Sequence, residues 1–178
     1  MFRISFLKYS IFSPLISIAP TIFLNGVLEE FKPQLEERRL YLKTQFPKEK
    51  LPKIEIDQKR MRETYSNVID NAIKHTIKGG ITIVSKFMPH GLKLNQPSIL
   101  CLVKDTGIGI PKEELSSIGT SPFERGEEAK KLSPMGKGIG LYLSRLIVEA
   151  HGGKLWIESE GKDKGTTIYI ELPLSGEK

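Results

Sequence analysis

The stretch Asp105-Thr106-Gly107-Ile108-Gly109-Ile110-Pro111 places a carboxylate and two glycines just past an apolar run, Ile99-Leu100-Cys101-Leu102-Val103, that reads as a buried strand. A carboxylate at a strand exit can accept a hydrogen bond from an exocyclic amine. Glycines beside it let the backbone press against a flat ligand with no Cβ in the way. Taken alone, the string also fits an ordinary turn. Upstream, Asn67, Asn71 and Lys74 fall within about 60° of one another on a helix, away from the apolar face made by Met61, Tyr65, Val68, Ile69 and Ala72. Two amide oxygens one turn apart can share a hard cation such as Mg²⁺, and a lysine beyond them can reach a phosphate; a solvated polar stripe has the same pattern. Downstream, Gly136, Gly138 and Gly140 alternate ahead of a helix whose Leu143, Leu146, Ile147 and Ala150 form an apolar stripe, ended by Gly152-Gly153. Bare N–H groups and the helix dipole make such an N-terminus a site for phosphate. Between the glycine segments, Ser121-Pro122-Phe123-Glu124-Arg125-Gly126 offers an aromatic that could anchor a lid or simply pack in a loop. Arg125 adds a planar donor for phosphate.

Context removes two common phosphate-binding units. A dinucleotide-binding βαβ unit needs a strand directly before its glycines, and residues 124–137 are polar and charged with no strand pattern. No G-x-x-x-x-G-K-[ST] string occurs.

In this order, the four segments resemble the nucleotide-binding boxes of the GHKL superfamily, most closely those of the ATP-binding catalytic domain of two-component sensor histidine kinases. The N box corresponds to 67–76, the first G box to 105–111, the F box to 122–126 and the second G box to 136–140. The likeness continues through 151–159 and 165–173, so it covers roughly residues 23–174. The resemblance implies that Asn67 and Asn71 help hold Mg²⁺, that Lys74 contacts phosphate and that His75 lines the nucleotide. It implies that Asp105 pairs with the adenine amino group, with Gly107 and Gly109 framing the base. Arg125 and the amides around Gly138 and Gly140 would face the phosphates, Leu141 would belong to the same set, and Thr167 would lie near the adenine. Lys137, with Lys130 and Lys131, adds positive charge that favours polyphosphate.

Hydrolytic members of the superfamily carry a glutamate one turn before the Mg²⁺-binding asparagine. Asn67 occupies that position here, and a neutral amide cannot act as a general base. The γ-phosphoryl is then left for an external nucleophile, which implies a protein-histidine kinase domain. An anti-sigma-type serine kinase and a nucleotide-binding module that transfers nothing remain the alternatives. The three histidines, His75, His90 and His151, are followed by Thr76, Gly91 and Gly152, not by the acidic residue expected after a phosphoacceptor. The acceptor histidine is therefore expected on a separate dimerisation domain, with a response regulator as the downstream partner.

These residues need a scaffold. Periodicity predicts a helix over 24–39, a strand over 40–46, an edge segment Ile54-Glu55-Ile56, the N-box helix over 57–76, and strands over 81–87 and 98–104. The lid over 113–137 follows, expected to be mobile without nucleotide, then the second glycine-box helix and strands over 154–160 and 166–172. The hairpin-like pairing of the last four strands predicts an α/β two-layer sandwich: a mixed, mostly antiparallel sheet with helices on one face, the Bergerat fold by resemblance. Alternation of Ile81 and Ile83 with Thr82 predicts a more polar outer face. A length of 178 residues suits one such domain, 21–178, after an N-terminal segment, 1–20, of uncertain role. That segment is apolar with Arg3 and Lys8. It fits a signal peptide, the remnant of a dimerisation helix or a non-native start, and Ser13-Pro14 and Ala19-Pro20 argue against one continuous helix. The single cysteine, Cys101, excludes an internal disulfide. The net charge of +6 is spread along the chain without a nucleic-acid-reading motif, so a solvated surface accounts for it. No apolar run approaches the roughly 20 residues of a membrane span. The expected location is cytoplasmic, free or tethered to the membrane in a full-length kinase.

Overall fold

The computed structural model describes residues 13–122 and 138–174. Strands β2 (Tyr41–Gln45), β4 (Gly80–Met88), β5 (Ser98–Asp105), β7 (Thr167–Pro173) and β6 (Lys154–Glu158) form a five-stranded sheet in that spatial order. Only the β2–β4 pairing is parallel. The hairpins β4–β5 and β6–β7 and the β5–β7 pair are antiparallel. This is the mixed, mostly antiparallel sheet that the strand pattern predicts.

Helices α1 (Pro20–Leu28), α2 (Lys32–Glu37), α3 (Gln58–His75), α4 (Lys112–Leu115) and α5 (Gly140–Ala150) complete the described chain, with a 3₁₀ turn at Glu29–Phe31 between α1 and α2. The pre-proline residue Ala19 is extended (ψ 124°), and Pro20 opens α1 without losing a needed N–H. Phe23, Leu24 and Val27 of α1 and Met61, Val68, Ile69 and Ile73 of α3 share one core with Ile81, Ile83, Ile99, Val103, Leu155, Ile168 and Ile170 of the sheet. Every member of the expected α3 face is buried. Within the N-terminal segment, β1 (Ile16–Ile18) pairs antiparallel with β3 (Ile54–Ile56) in a two-stranded sheet.

The outer face departs from expectation. Lys43, Lys86, Lys104 and Lys154 stand exposed on it, yet Leu100 (1% exposed) and Glu171 (0%) are buried there. The β4–β5 connection folds back over them. The amides of Leu92 (2.6 Å) and Lys93 (2.8 Å) and the Ser98 hydroxyl (2.7 Å) donate to the Glu171 carboxylate. The Lys93 ammonium sits 4.6 Å from the centre of the Trp156 ring, which stacks on Tyr169 at 4.8 Å. Three donors satisfy this buried carboxylate, and among the described residues no cation pairs with it.

Candidate nucleotide site

Asp57 starts α3. Its side chain accepts from Arg60 N (3.1 Å) as an N-cap and from Ser13 N (2.7 Å). At the other end, Arg38 Nη1 donates to the carbonyl of Ile73 (2.8 Å). A helix fixed at both ends holds Asn67 and Asn71, both half-buried, along one edge. Helix α5 runs antiparallel beside it. The backbone amide of Asp57 donates to His151 Nε2 (3.0 Å) at one end of the pair, and Gly140 meets Asn67 at the other. A Cβ built on Gly140 would lie 3.4 Å from the Asn67 carboxamide carbon. The N-box asparagine thus lies against the first residue of α5, whose leading amides have no intrahelical acceptor.

The opposite end is built at the exit of β5. Asp105 is 6% exposed and its Oδ1 accepts from Gly107 N (2.8 Å) and Thr166 N (3.1 Å). Among the described residues no donor reaches Oδ2, which leaves that oxygen to accept from a ligand. Burial pushes the Asp105 pKa up to about 6, against the two amides that favour the charged form. Gly107 is required by close approach: a Cβ there would lie 2.3 Å from the carbonyl oxygen of His75. That carbonyl accepts from Ile108 N (3.1 Å), so the end of α3 and the first glycine box are joined by backbone. Gly109 has φ 65°, and a Cβ on it would strike Gly161 O at 2.0 Å.

Several of the expected site residues have partners or orientations of their own. Lys74 Nζ pairs with Asp70 Oδ2 at 2.5 Å, one turn back on the same helix. Thr167 pairs with Lys104 and Glu158 across the strands, on the outer face, while the neighbouring Thr166 carries the amide that reaches Asp105. Inward Ile168, Ile170 and Leu172 already specify this by period two: 166 turns inward and 167 outward. The half-buried side chain of Leu141 packs against the core, with its Cγ 3.0 Å from where a Cβ on Gly119 would lie. Leu143 and Leu146, expected in the buried stripe of α5, are 40% and 42% exposed. Ser144 and Val148 are buried instead, in line with Gly140, because the close α3–α5 seam takes small side chains. Gly138 is described, with φ 67°. Arg125, Lys137 and the aromatic of the F box lie outside the described residues. Two hydroxyl residues without a sequence motif to mark them organise the loops here: Thr106, which accepts from Gly80 N (3.0 Å), and Ser159, which accepts from Ile110 N (2.9 Å).

The family model for histidine kinase-, DNA gyrase B- and HSP90-like ATPases matches residues 56–176. The chain belongs to this family. Adaptive-response sensory kinase SasA of Prochlorococcus marinus (strain MIT 9313) is 37% identical over 138 residues, which is 78% of this chain and 35% of that protein. Sensor histidine kinase WalK of Bacillus subtilis (strain 168) is 35% identical over 152 residues, 84% of this chain and 21% of WalK. The chain thus spans about a fifth to a third of the length of these curated relatives. The fold is that of histidine kinase catalytic domains: the ThkA catalytic domain superposes with a TM-score of 0.74 at 23% identity, over 90% of this chain and 96% of that one. Full-length ShkA in complex with AMPPNP gives 0.77 at 22% identity, over 97% of this chain and 34% of ShkA.

Proposed function

We propose that this domain binds Mg²⁺-ATP and passes its γ-phosphoryl to a histidine on a separate dimerisation domain, as the ATP-binding part of a two-component sensor kinase serving a response regulator. One observation carries the reading: Asn67 lies against Gly140 at the N-terminus of α5, while Asp105 presents a free carboxylate oxygen at the sheet end. Asp105 accepts from the adenine amino group, Gly107 and Gly109 give the base its flat floor, and the α5 amides face the phosphates. Lys74 exchanges Asp70 for a phosphate oxygen when nucleotide enters.

Among the described residues no group of three or more His, Cys, Asp or Glu side chains could hold a metal by itself. The amide oxygens of Asn67 and Asn71 fit a cation that completes its shell with phosphate oxygens and water, which is how Mg²⁺ is usually bound. Such an ion would neutralise charge spread over the phosphates. With an amide at position 67 no side chain there can deprotonate water, so the site favours an external nucleophile over hydrolysis. The exposed pair Leu143 and Leu146 on α5 offers the acceptor domain an apolar surface on the helix that meets the phosphates.

The test is transfer. With γ-labelled ATP and Mg²⁺, the chain should label dimerisation–acceptor domains supplied in trans, that of WalK first, at an acid-labile phosphohistidine. Asn71→Ala should abolish the label. Label on serine would move the domain to the serine-kinase branch.

A further inference from the structure

The loop between β6 and β7 lies beside the first glycine box, and one side chain fastens both. The two backbones are zipped by Gly165 N to Gly107 O (3.1 Å) and Asp163 N to Ile108 O (2.7 Å). A third rung is not backbone to backbone. Ile110 N donates to the Ser159 hydroxyl (2.9 Å), which donates to Gly165 O (2.7 Å) and accepts from Gly161 N at 3.3 Å. Gly165 directly precedes Thr166, whose amide holds Asp105 Oδ1. There is little slack in this contact, since a Cβ on Gly165 would lie 2.1 Å from Asp105 O and one on Gly109 2.0 Å from Gly161 O.

We propose that Ser159 is a positioning residue for the base end of the nucleotide site, setting the glycine box through Ile110 and the Asp105 carboxylate through Gly165 and Thr166. The proposal rests on Asp105 being the acceptor for the base. Ser159 acts through backbone that both floors the base and orients its acceptor. Without the hydroxyl, Ile110 N and Gly165 O lose their shared partner, the loop moves off the glycine box, and the Thr166 amide leaves Asp105. Losing that donor disfavours the carboxylate form of Asp105. The titratable groups around Asp105 include Asp70, Lys74 and His75 toward the end of α3, Lys78 before β4, Cys101 and Lys104 on β5, and Lys162, Asp163 and Lys164 in the loop, with Lys86, Tyr169 and Glu171 on the outer faces of β4 and β7. A change at Ser159 alters none of them.

The experiment compares Ser159→Ala, Ser159→Thr and the unsubstituted chain by calorimetric titration with Mg²⁺-ATP between pH 5 and 8, with the melting midpoint taken without nucleotide. Ser159→Ala should bind ATP about tenfold more weakly, the usual effect of losing one buried hydrogen-bond pairing. The pH at which affinity is half lost should also move upward. Ser159→Thr keeps the hydroxyl and should restore both. A Ser159→Ala chain that melts earlier but binds with unchanged affinity and pH midpoint would overturn the proposal, since a purely structural hydroxyl predicts that result. If Ser159→Ala does not fold, Ser159→Cys, which keeps the volume and weakens each hydrogen bond, is read against the same outcomes. Failure of the unsubstituted chain to bind ATP would remove the nucleotide reading itself, a result distinct from equal binding by all three.

Discussion

The Asp105 side chain, proposed above to accept from the base, also carries an energetic cost. Burial holds its pKa near 6 in the folded chain against an ordinary value of 3.8, with the Gly107 and Thr166 amides only partly offsetting the desolvation. A folded pKa above the unfolded one means that the folded state takes up the proton first. The stability this gives is fully present below pH 3.8 and is lost as pH rises through about 6. At neutral pH the ionised carboxylate therefore costs on the order of 1–3 kcal/mol. Asp105→Asn removes that charge and also presents an amide where the proposed base contact requires an acceptor. It should raise the melting midpoint at pH 7 while weakening ATP by tenfold or more, as calorimetry and thermal melts would show. A variant that loses both stability and affinity would mean that the carboxylate is structural. In the unsubstituted chain, ATP affinity should fall as pH drops through about 6, since the carboxylate is the stronger acceptor.

The pairing of α3 with α5 brings Asn67 against Gly140, and His151 closes its far end. Nε2 accepts from Asp57 N (3.0 Å) and Nδ1 lies 2.7 Å from Ile147 O, so the ring is neutral with its proton on Nδ1. Burial lowers its pKa, although the Ile147 carbonyl and the Asp57 charge pull the other way. A depressed folded pKa contributes stability above the usual histidine value of 6.5 that is lost as pH falls below it. His151→Ala should cost about 1–3 kcal/mol by leaving the Asp57 amide unpaired, and should flatten the acid limb of stability below pH 6.5. Denaturant titrations from pH 5 to 8 in the Asp105→Asn background separate this slope from the opposite one of Asp105. The first glycine box meets the end of α3 equally closely. With a Cβ 2.3 Å from His75 O, Gly107→Ala should cost about 3 kcal/mol or more, and a melting midpoint within a degree of the original would show that the two backbones have room to part.

Across the molecule, features set by periodicity and by unusual residue types were readable from the sequence. The α3 face, the β4–β5 and β6–β7 hairpins and the positions of Asn67, Asn71 and Asp105 follow from spacing alone, because helices and strands repeat side-chain direction with fixed periods. What depended on a partner element was not readable. Leu143 and Leu146 looked like core, but the seam with α3 selects Gly140 and Ser144, and hydrophobicity does not report tightness of approach. Thr167 was different: the period-two run Ile168, Ile170, Leu172 already turns 167 outward and 166 inward, so that placement was legible without a partner strand. Glu171 gave no sign of burial, since its three donors lie in or next to a connection more than 70 residues away. The tie from Ser159 to the first glycine box was hidden for the same reason: Ile110 comes from another loop, 49 residues away.

The fate of the γ-phosphoryl tests the reading of the whole domain. The chain alone, given Mg²⁺ and γ-labelled ATP, should bind nucleotide, release phosphate at less than one turnover per minute and carry no stable label, as expected of a site with Asn67 where a general base would stand. Adding a dimerisation domain that bears the acceptor histidine should move label onto that domain within minutes. Rapid multiple-turnover phosphate release by the chain alone, or stable label on one of its own side chains, would contradict this account.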